Sequence, residues 1–121
     1  MPESKVMTWS DLPADFPMPL IERRRVMGTH MMISKVRLSK GFHLATHHHP
    51  NEQMVCVLSG RAEFVLDEGA PTERRVMLGA GQVLVLPPNA PHGCVAHEDT
   101  DILDLFSPPS ETTGIDRSLR A

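Results

Sequence analysis

The sequence predicts an all-β fold, one domain of short strands closed as a sandwich or barrel. Three observations predict it. Short segments rich in Val, Leu, Ile and Met recur along the chain, separated by Gly, Pro, Asn or Asp. Their spacing is regular, as in sandwiches and barrels, with no long helical periodicity between them. The length, 121 residues, supplies one core.

The elements follow in order. Residues 1–19 are broken by Pro2, Pro13, Pro17 and Pro19 and form an irregular N-terminal arm carrying Trp9 and Phe16. Residues 20–107 hold the barrel, with strands expected at 20–27, 30–38, 42–49, 53–58, 61–67, 73–78, 82–87, 92–97 and 100–106. The segment "LSGRAEFVLDEGAPTERRVML" reads as two hairpins, turning at Gly60 and at the Asp67–Pro71 cluster. Residues 108–121, "PPSETTGIDRSLRA", are a polar C-terminal tail. There is no repeat, low-complexity tract or linker. A β fold must protect its edge strands, and the arm is placed to cover one, on this subunit or on a partner. A homodimer is the expected assembly.

Composition narrows the function. The net charge of -3 and pI near 6.1 argue against a nucleic-acid partner, which needs a basic face. No apolar run approaches the ~20 residues of a membrane span. The N-terminus lacks the apolar core of a signal peptide, so a cytoplasmic location is expected. Cys56 and Cys94 lie in apolar runs without CxxC spacing and read as buried, reduced thiols.

The chemistry concentrates in "GFHLATHHHPNEQMVCVLSG", Gly41 to Gly60. Side chains of a strand alternate faces, so His47 and His49 share one face and His48 takes the other. After the Pro50–Asn51 turn, Gln53 has the parity to join His47 and His49, and Glu52 does not. Downstream, His92 opens a strand after the turn in "VLPPNAPHG". Two imidazoles at i and i+2 with a distant third suit one metal ion and leave positions open for water or substrate. The competing reading makes His47 and His49 exposed turn residues. His48 reads as a surface residue, His43 as a satisfied interior histidine, and His97 as solvated.

These residues resemble the cupins, small jelly-roll β-barrels. The first cupin motif is a glycine, five residues, His-x-His, a glutamate and, six residues on, a glycine. Gly41, His47, His49, Gln53 and Gly60 fall on its places. The second motif falls on Gly81, Pro87, Asn89, His92 and Ala96, with Asn89 for glycine and Ala96 for asparagine. The resemblance implies a single-domain cupin jelly-roll β-barrel with one divalent metal ion (Zn, Ni, Mn or Fe) at His47, His49, Gln53 and His92. Gln53 stands where most cupins carry a glutamate. Four neutral ligands leave the ion its full charge, which favours polarising a carbonyl or hydroxyl over oxygen chemistry.

"ERRRVMGTHMMISKV" and "DTDILDLFSPP" are further similar to the uronate-linearising cupins of pectin and alginate breakdown. That resemblance implies ring opening of a 4,5-unsaturated uronate, with Asp104 and Phe106 as the catalytic pair. Those enzymes carry an arginine after the Pro-Pro, where this chain has Ser110. Asp104 also stands out without the family. It is the lone charge in "ILDLF", and a carboxylate buried there needs a partner or a raised pKa. Two readings stand: a general acid/base, or a structural ion pair with an arginine such as Arg24 or Arg37. The run Arg23–Arg24–Arg25 covers both strand faces, so one of its members reaches the cavity to meet an anionic substrate, or all form a solvated basic edge.

The expected function is therefore a metal-dependent enzyme for a small oxygenated molecule, most simply a sugar acid. The alternatives are an iron-dependent dioxygenase and a non-catalytic small-molecule binder or sensor.

Overall fold

A computed structural model describes residues 2–110. Within them the chain forms nine strands: β1 (Ile21–Met27), β2 (Met32–Leu38), β3 (His43–His47), β4 (Glu52–Ser59), β5 (Arg61–Leu66), β6 (Arg74–Gly79), β7 (Val83–Leu86), β8 (His92–Ala96) and β9 (Thr100–Ser107). Each lies within two residues of its expected bounds. They build two antiparallel sheets, one in the order β1-β2-β9-β4-β7 and one in the order β3-β8-β5-β6. This is a jelly roll, the fold that the resemblance implies.

Alternation makes the core. Along β2, Met32, Ser34, Val36 and Leu38 are buried, whereas Lys35 and Arg37 face water. Val55 and Val57 of β4, Phe64 of β5, Cys94 of β8 and Ile102 of β9 meet them between the sheets. Burying one such side chain contributes roughly 2 kcal/mol, so the inward rows of both sheets hold the barrel together.

Only one of the two expected hairpins forms. β5 and β6 pair through the Asp67–Pro71 region, but β4 and β5 belong to different sheets. At Gly60 the chain crosses from one sheet to the other instead of turning back. Its φ of 89° and a neighbouring backbone explain the glycine: a Cβ there would lie 2.3 Å from the Asp99 carbonyl oxygen. A glycine between two apolar runs looks the same in sequence whether it makes a hairpin or a sheet-to-sheet corner. Asn89 has φ 65°, the left-handed conformation that asparagine tolerates in place of the motif glycine.

The arm holds one 3-10 turn, Trp9–Asp11, and then meets its own barrel. The Asp15 amide donates to the Arg23 carbonyl at 2.8 Å, and the Arg23 amide returns the bond at 2.9 Å. Phe16 remains 68% exposed, whereas Met18 packs against the core, so the arm is fastened by these bonds and by Met18 and not by Phe16. Of the tail, only residues 108–110 lie within the described region; the Ser107–Pro108 peptide is cis.

Candidate metal centre

Three imidazoles converge at one end of the barrel. His47 ends β3, His49 lies just beyond it, and His92 opens β8 opposite His47. Ring centroids are 4.4 Å apart for His47 and His92, 5.2 Å for His49 and His92, and 5.6 Å for His47 and His49. One ring nitrogen from each lies within 4.8 Å of the others.

The simple alternation that paired His47 with His49 is not how they meet. A β-bulge lies between Leu44 and His47, where three steps on β3 match two on β8. The bulge brings both Leu44 and His47 to the cavity wall. It also corrects the expectation for His43, which is exposed rather than interior. Counting parity from His47 back across an extra residue puts His43 on the wrong face. His48 is exposed, and His97 is exposed and donates from Nε2 to Glu63 Oε1 at 3.0 Å.

Backbone carbonyls set the tautomers. Nδ1 of His47, His49 and His92 lies 3.4, 3.0 and 2.9 Å from the carbonyl oxygens of Ala45, Asn51 and Ala90. A carbonyl only accepts, so each Nδ1 carries the hydrogen and each neutral ring keeps its lone pair on Nε2. His49 Nε2 then faces Gln53 Oε1 at 3.1 Å, acceptor against acceptor. Two buried lone pairs at that distance repel unless a cation or proton lies between them. Three imidazole lone pairs and an amide oxygen are a donor set that fits a divalent transition metal, with Zn, Ni, Mn and Fe all accepting it.

Gln53 sits on β4, buried, and faces the cavity beside Phe106 of β9. Its amide has two ends. The oxygen turns to His49, and Nε2 donates to Asp104 Oδ1 at 3.1 Å. A glutamate in its place has no hydrogen to give and sets a second negative charge against Asp104. The amide is therefore the residue type that joins this donor set to this carboxylate.

Asp104 keeps some accessible surface as a residue, but its carboxyl is packed among protein atoms, and burial pushes its pKa up to about 6. The Gln53 hydrogen bond and the Arg23 charge oppose that rise without cancelling it. Its partner is thus an amide, not Arg24 or Arg37. Arg24 pairs with Glu22, and Arg37 with Asp101 at 3.2 Å and Asp99 at 3.6 Å. Both arginines stand on the outer face of the sheet, opposite in parity to the inward row that Asp104 joins. Burial also lowers the His47 pKa and pushes His92 down to about 4, so these rings stay neutral and ready to ligate.

Phe106 is buried, its ring 5.8 Å from that of His49. The cavity is lined by His47, Gln53, His92, Asp104 and Phe106 over an apolar floor that includes Phe64. Two residues escaped the sequence reading. Asn51 is 5% exposed; its carbonyl fixes His49, and its side chain donates to the Pro108 carbonyl, tying the histidine turn to the chain after β9. Ser34 lies buried beside Asp104 in cross-strand register. A polar residue in a turn or a serine in a strand carries no signal of either role.

Residues 34–106 match the family of the cupin domain. KdgF from a Halomonas species is 28% identical, with 90% of this chain and 97% of that chain covered at a TM-score of 0.78. An RmlC-like cupin from Shewanella frigidimarina is 22% identical over 90% of this chain and 95% of its own, with a TM-score of 0.80. An oxalate decarboxylase from Bacillus subtilis is 18% identical at a TM-score of 0.78; 92% of this chain covers only 33% of that one. The last two likenesses speak to fold alone. No curated relative matches the chain.

Proposed function

The chain belongs to the cupin family, and on that premise we propose that it is a metal-dependent enzyme that opens or isomerises the ring of a sugar acid of the unsaturated-uronate type. The observation that carries the reading is the Gln53 amide, which holds the Asp104 carboxylate next to a set of neutral ligands. A divalent ion held by His47, His49, Gln53 and His92 supplies a Lewis acid toward a sugar oxygen. The 28% likeness to KdgF, beside the resemblance of two segments to the uronate-linearising cupins, supports the same reading.

Opening a 4,5-unsaturated uronate is an isomerisation. The C1 hydroxyl loses its proton as the bond from C1 to the ring oxygen breaks, leaving an aldehyde. The enol released at C5 takes a proton at C4 and becomes a ketone. No oxidant or co-reactant is consumed. A carboxyl with a pKa near 6 both gives and takes protons near neutral pH, which suits Asp104 to these transfers. Gln53 Nε2 fixes its Oδ1 and leaves Oδ2 for the substrate. Phe106, on the same face of β9, offers a flat apolar wall against the sugar ring.

The testing experiment is the metal-loaded protein with an unsaturated uronate, followed by loss of the ultraviolet absorbance of the conjugated double bond. Turnover supports the reading. Iron-dependent oxygen uptake instead would favour a dioxygenase, and tight binding without turnover would favour a sensor.

We further propose a homodimer through the outer face of the five-stranded sheet. Val85, Met54, Leu105, Ile33 and Val26 lie in one cross-strand row from β7 to β1. Val85 is 52% and Met54 40% exposed. Five strands at ~4.8 Å spacing make an apolar band roughly 20 Å across, and a flat band of that size suits a second copy meeting it about a two-fold axis. The free thiols Cys56 and Cys94 suit a reducing compartment such as the cytoplasm. Among the described residues no helix is long and apolar enough to cross a membrane.

A further inference from the structure

Ser34 holds a buried polar atom that the site described so far does not use. Its hydroxyl oxygen has no hydrogen-bond partner, and the residue is 1% exposed. Such a group costs stability unless something pairs with it. Across the strands it stands between Arg25 on β1 and Asp104 on β9. Arg25, Ser34 and Asp104 thus form a polar row on the inner face. The next row, Arg23, Val36, Ile102 and Val57, is buried, and beyond Arg23 it is apolar.

A carboxylate already sits at the β1 end of this row. Asp15 of the arm takes Arg23 Nε and Nη2 on its two oxygens, each at 2.9 Å, and Arg25 Nη2 at 3.1 Å. Two guanidinium groups around one carboxylate are the geometry that recognises this anion. Arg23 is 4% exposed, yet the Asp15 side chain is 43% exposed. Two main-chain bonds hold the arm to β1 at this point, so the Asp15 side chain can rotate away without releasing the arm. Burial alone would raise the Asp15 pKa, but the Arg23 bond and the charges of Arg23 and Arg25 outweigh it and hold the group ionised.

We propose that Arg23, Arg25 and Ser34 form the subsite for the substrate's carboxylate, and that Asp15 occupies it as an internal stand-in until substrate displaces it. This rests on the sugar-acid reading and names how that acid is held. Ser110 cannot supply the cation found after the Pro-Pro segment in the uronate-linearising cupins, and β1 supplies two. β1 lies three strands from Gln53, about 14 Å at ordinary strand spacing. Val36, the cross-strand partner of Arg23, lines the cavity that holds the metal ligands, and the Arg23 charge acts on Asp104 across the same inner face.

Calorimetry on the full-length, metal-loaded protein tests this with D-galacturonate, an unreactive saturated uronate, against neutral D-galactose. Asp15→Asn removes the internal competitor and should tighten galacturonate several-fold with galactose unchanged. Arg25→Ala should weaken galacturonate by about tenfold or more, again sparing galactose. Arg25→Lys should restore part of the loss, which separates charge recognition from damage to the fold. Unchanged or weaker galacturonate binding in Asp15→Asn overturns the proposal, as does no galacturonate binding to either protein. If the binding pattern holds and no uronate is turned over, the subsite stands and the catalytic reading fails. If uronates are turned over without the pattern, the reverse is true.

Discussion

Gln53 donates to Asp104 at 3.1 Å while its other amide atom faces His49 at the same distance. One side chain therefore couples the cluster of imidazoles to the Asp104 carboxylate on the cavity wall. Gln53→Glu should keep or strengthen metal binding, because a negative oxygen replaces a neutral one. It should cut kcat by at least about tenfold, because Asp104 loses its donor and gains a like-charged neighbour. Metal content and steady-state kinetics on the same preparation check both halves.

The converging Nε2 lone pairs give the second prediction. His92→Ala should lose most bound metal, whereas His48→Ala, altering an exposed residue, should keep it. Elemental analysis decides. Undiminished metal in His92→Ala, or loss confined to His48→Ala, contradicts the assigned ligand set.

Metal-free protein should show two opposed pH effects. His92 has a folded pKa near 4 against ~6.5 unfolded, so the unfolded chain binds the extra proton and stability falls as pH drops through that window, by about 3 kcal/mol. His47, also lowered, acts in the same direction. Asp104, raised to about 6 from 3.8, does the reverse: the folded state takes up its proton first, so acidification through that window adds about 3 kcal/mol. Removing the carboxyl with Asp104→Asn should unmask the histidines. Urea titrations between pH 7 and 4 should show the variant losing stability more steeply than the wild type; parallel curves would contradict the assignment.

Gly60 marks the corner between the sheets. Gly60→Ala places a Cβ against the Asp99 carbonyl at a positive φ. The cost should exceed about 1 kcal/mol and lower Tm by at least about 4 °C. A thermal melt of the variant with an unchanged midpoint would show that the corner relaxes freely.

The strands were legible because each buries one face, and alternation with turn residues is a local signal. The three clustered histidines were legible because two share one motif at i and i+2 and the third stands in the other. What could not be read depends on contacts made at a distance. The bulge between Leu44 and His47 shifts parity without marking the sequence, and so His43 faces outward. The Gly60 corner depends on where Asp99 and Thr100 return. The union of Asp15 with Arg23 and Arg25 joins the arm to β1 by side chains that each look solvated in sequence.

The outer face of the five-stranded sheet yields a separate expectation. A charge in its apolar row, as in Val85→Lys, should convert a dimer to a monomer without changing the barrel. Light scattering at micromolar concentration checks it; a monomeric wild type rules out the interface.

The most direct measurement of the central claim is turnover of an unsaturated uronate by metal-loaded Asp104→Asn. The asparagine fits the same space and keeps an oxygen for the Gln53 amide, but it cannot carry the proton. Fold and metal content should match the wild type while kcat falls by roughly 10²–10⁴. Wild-type turnover by Asp104→Asn, with metal in place, would contradict it.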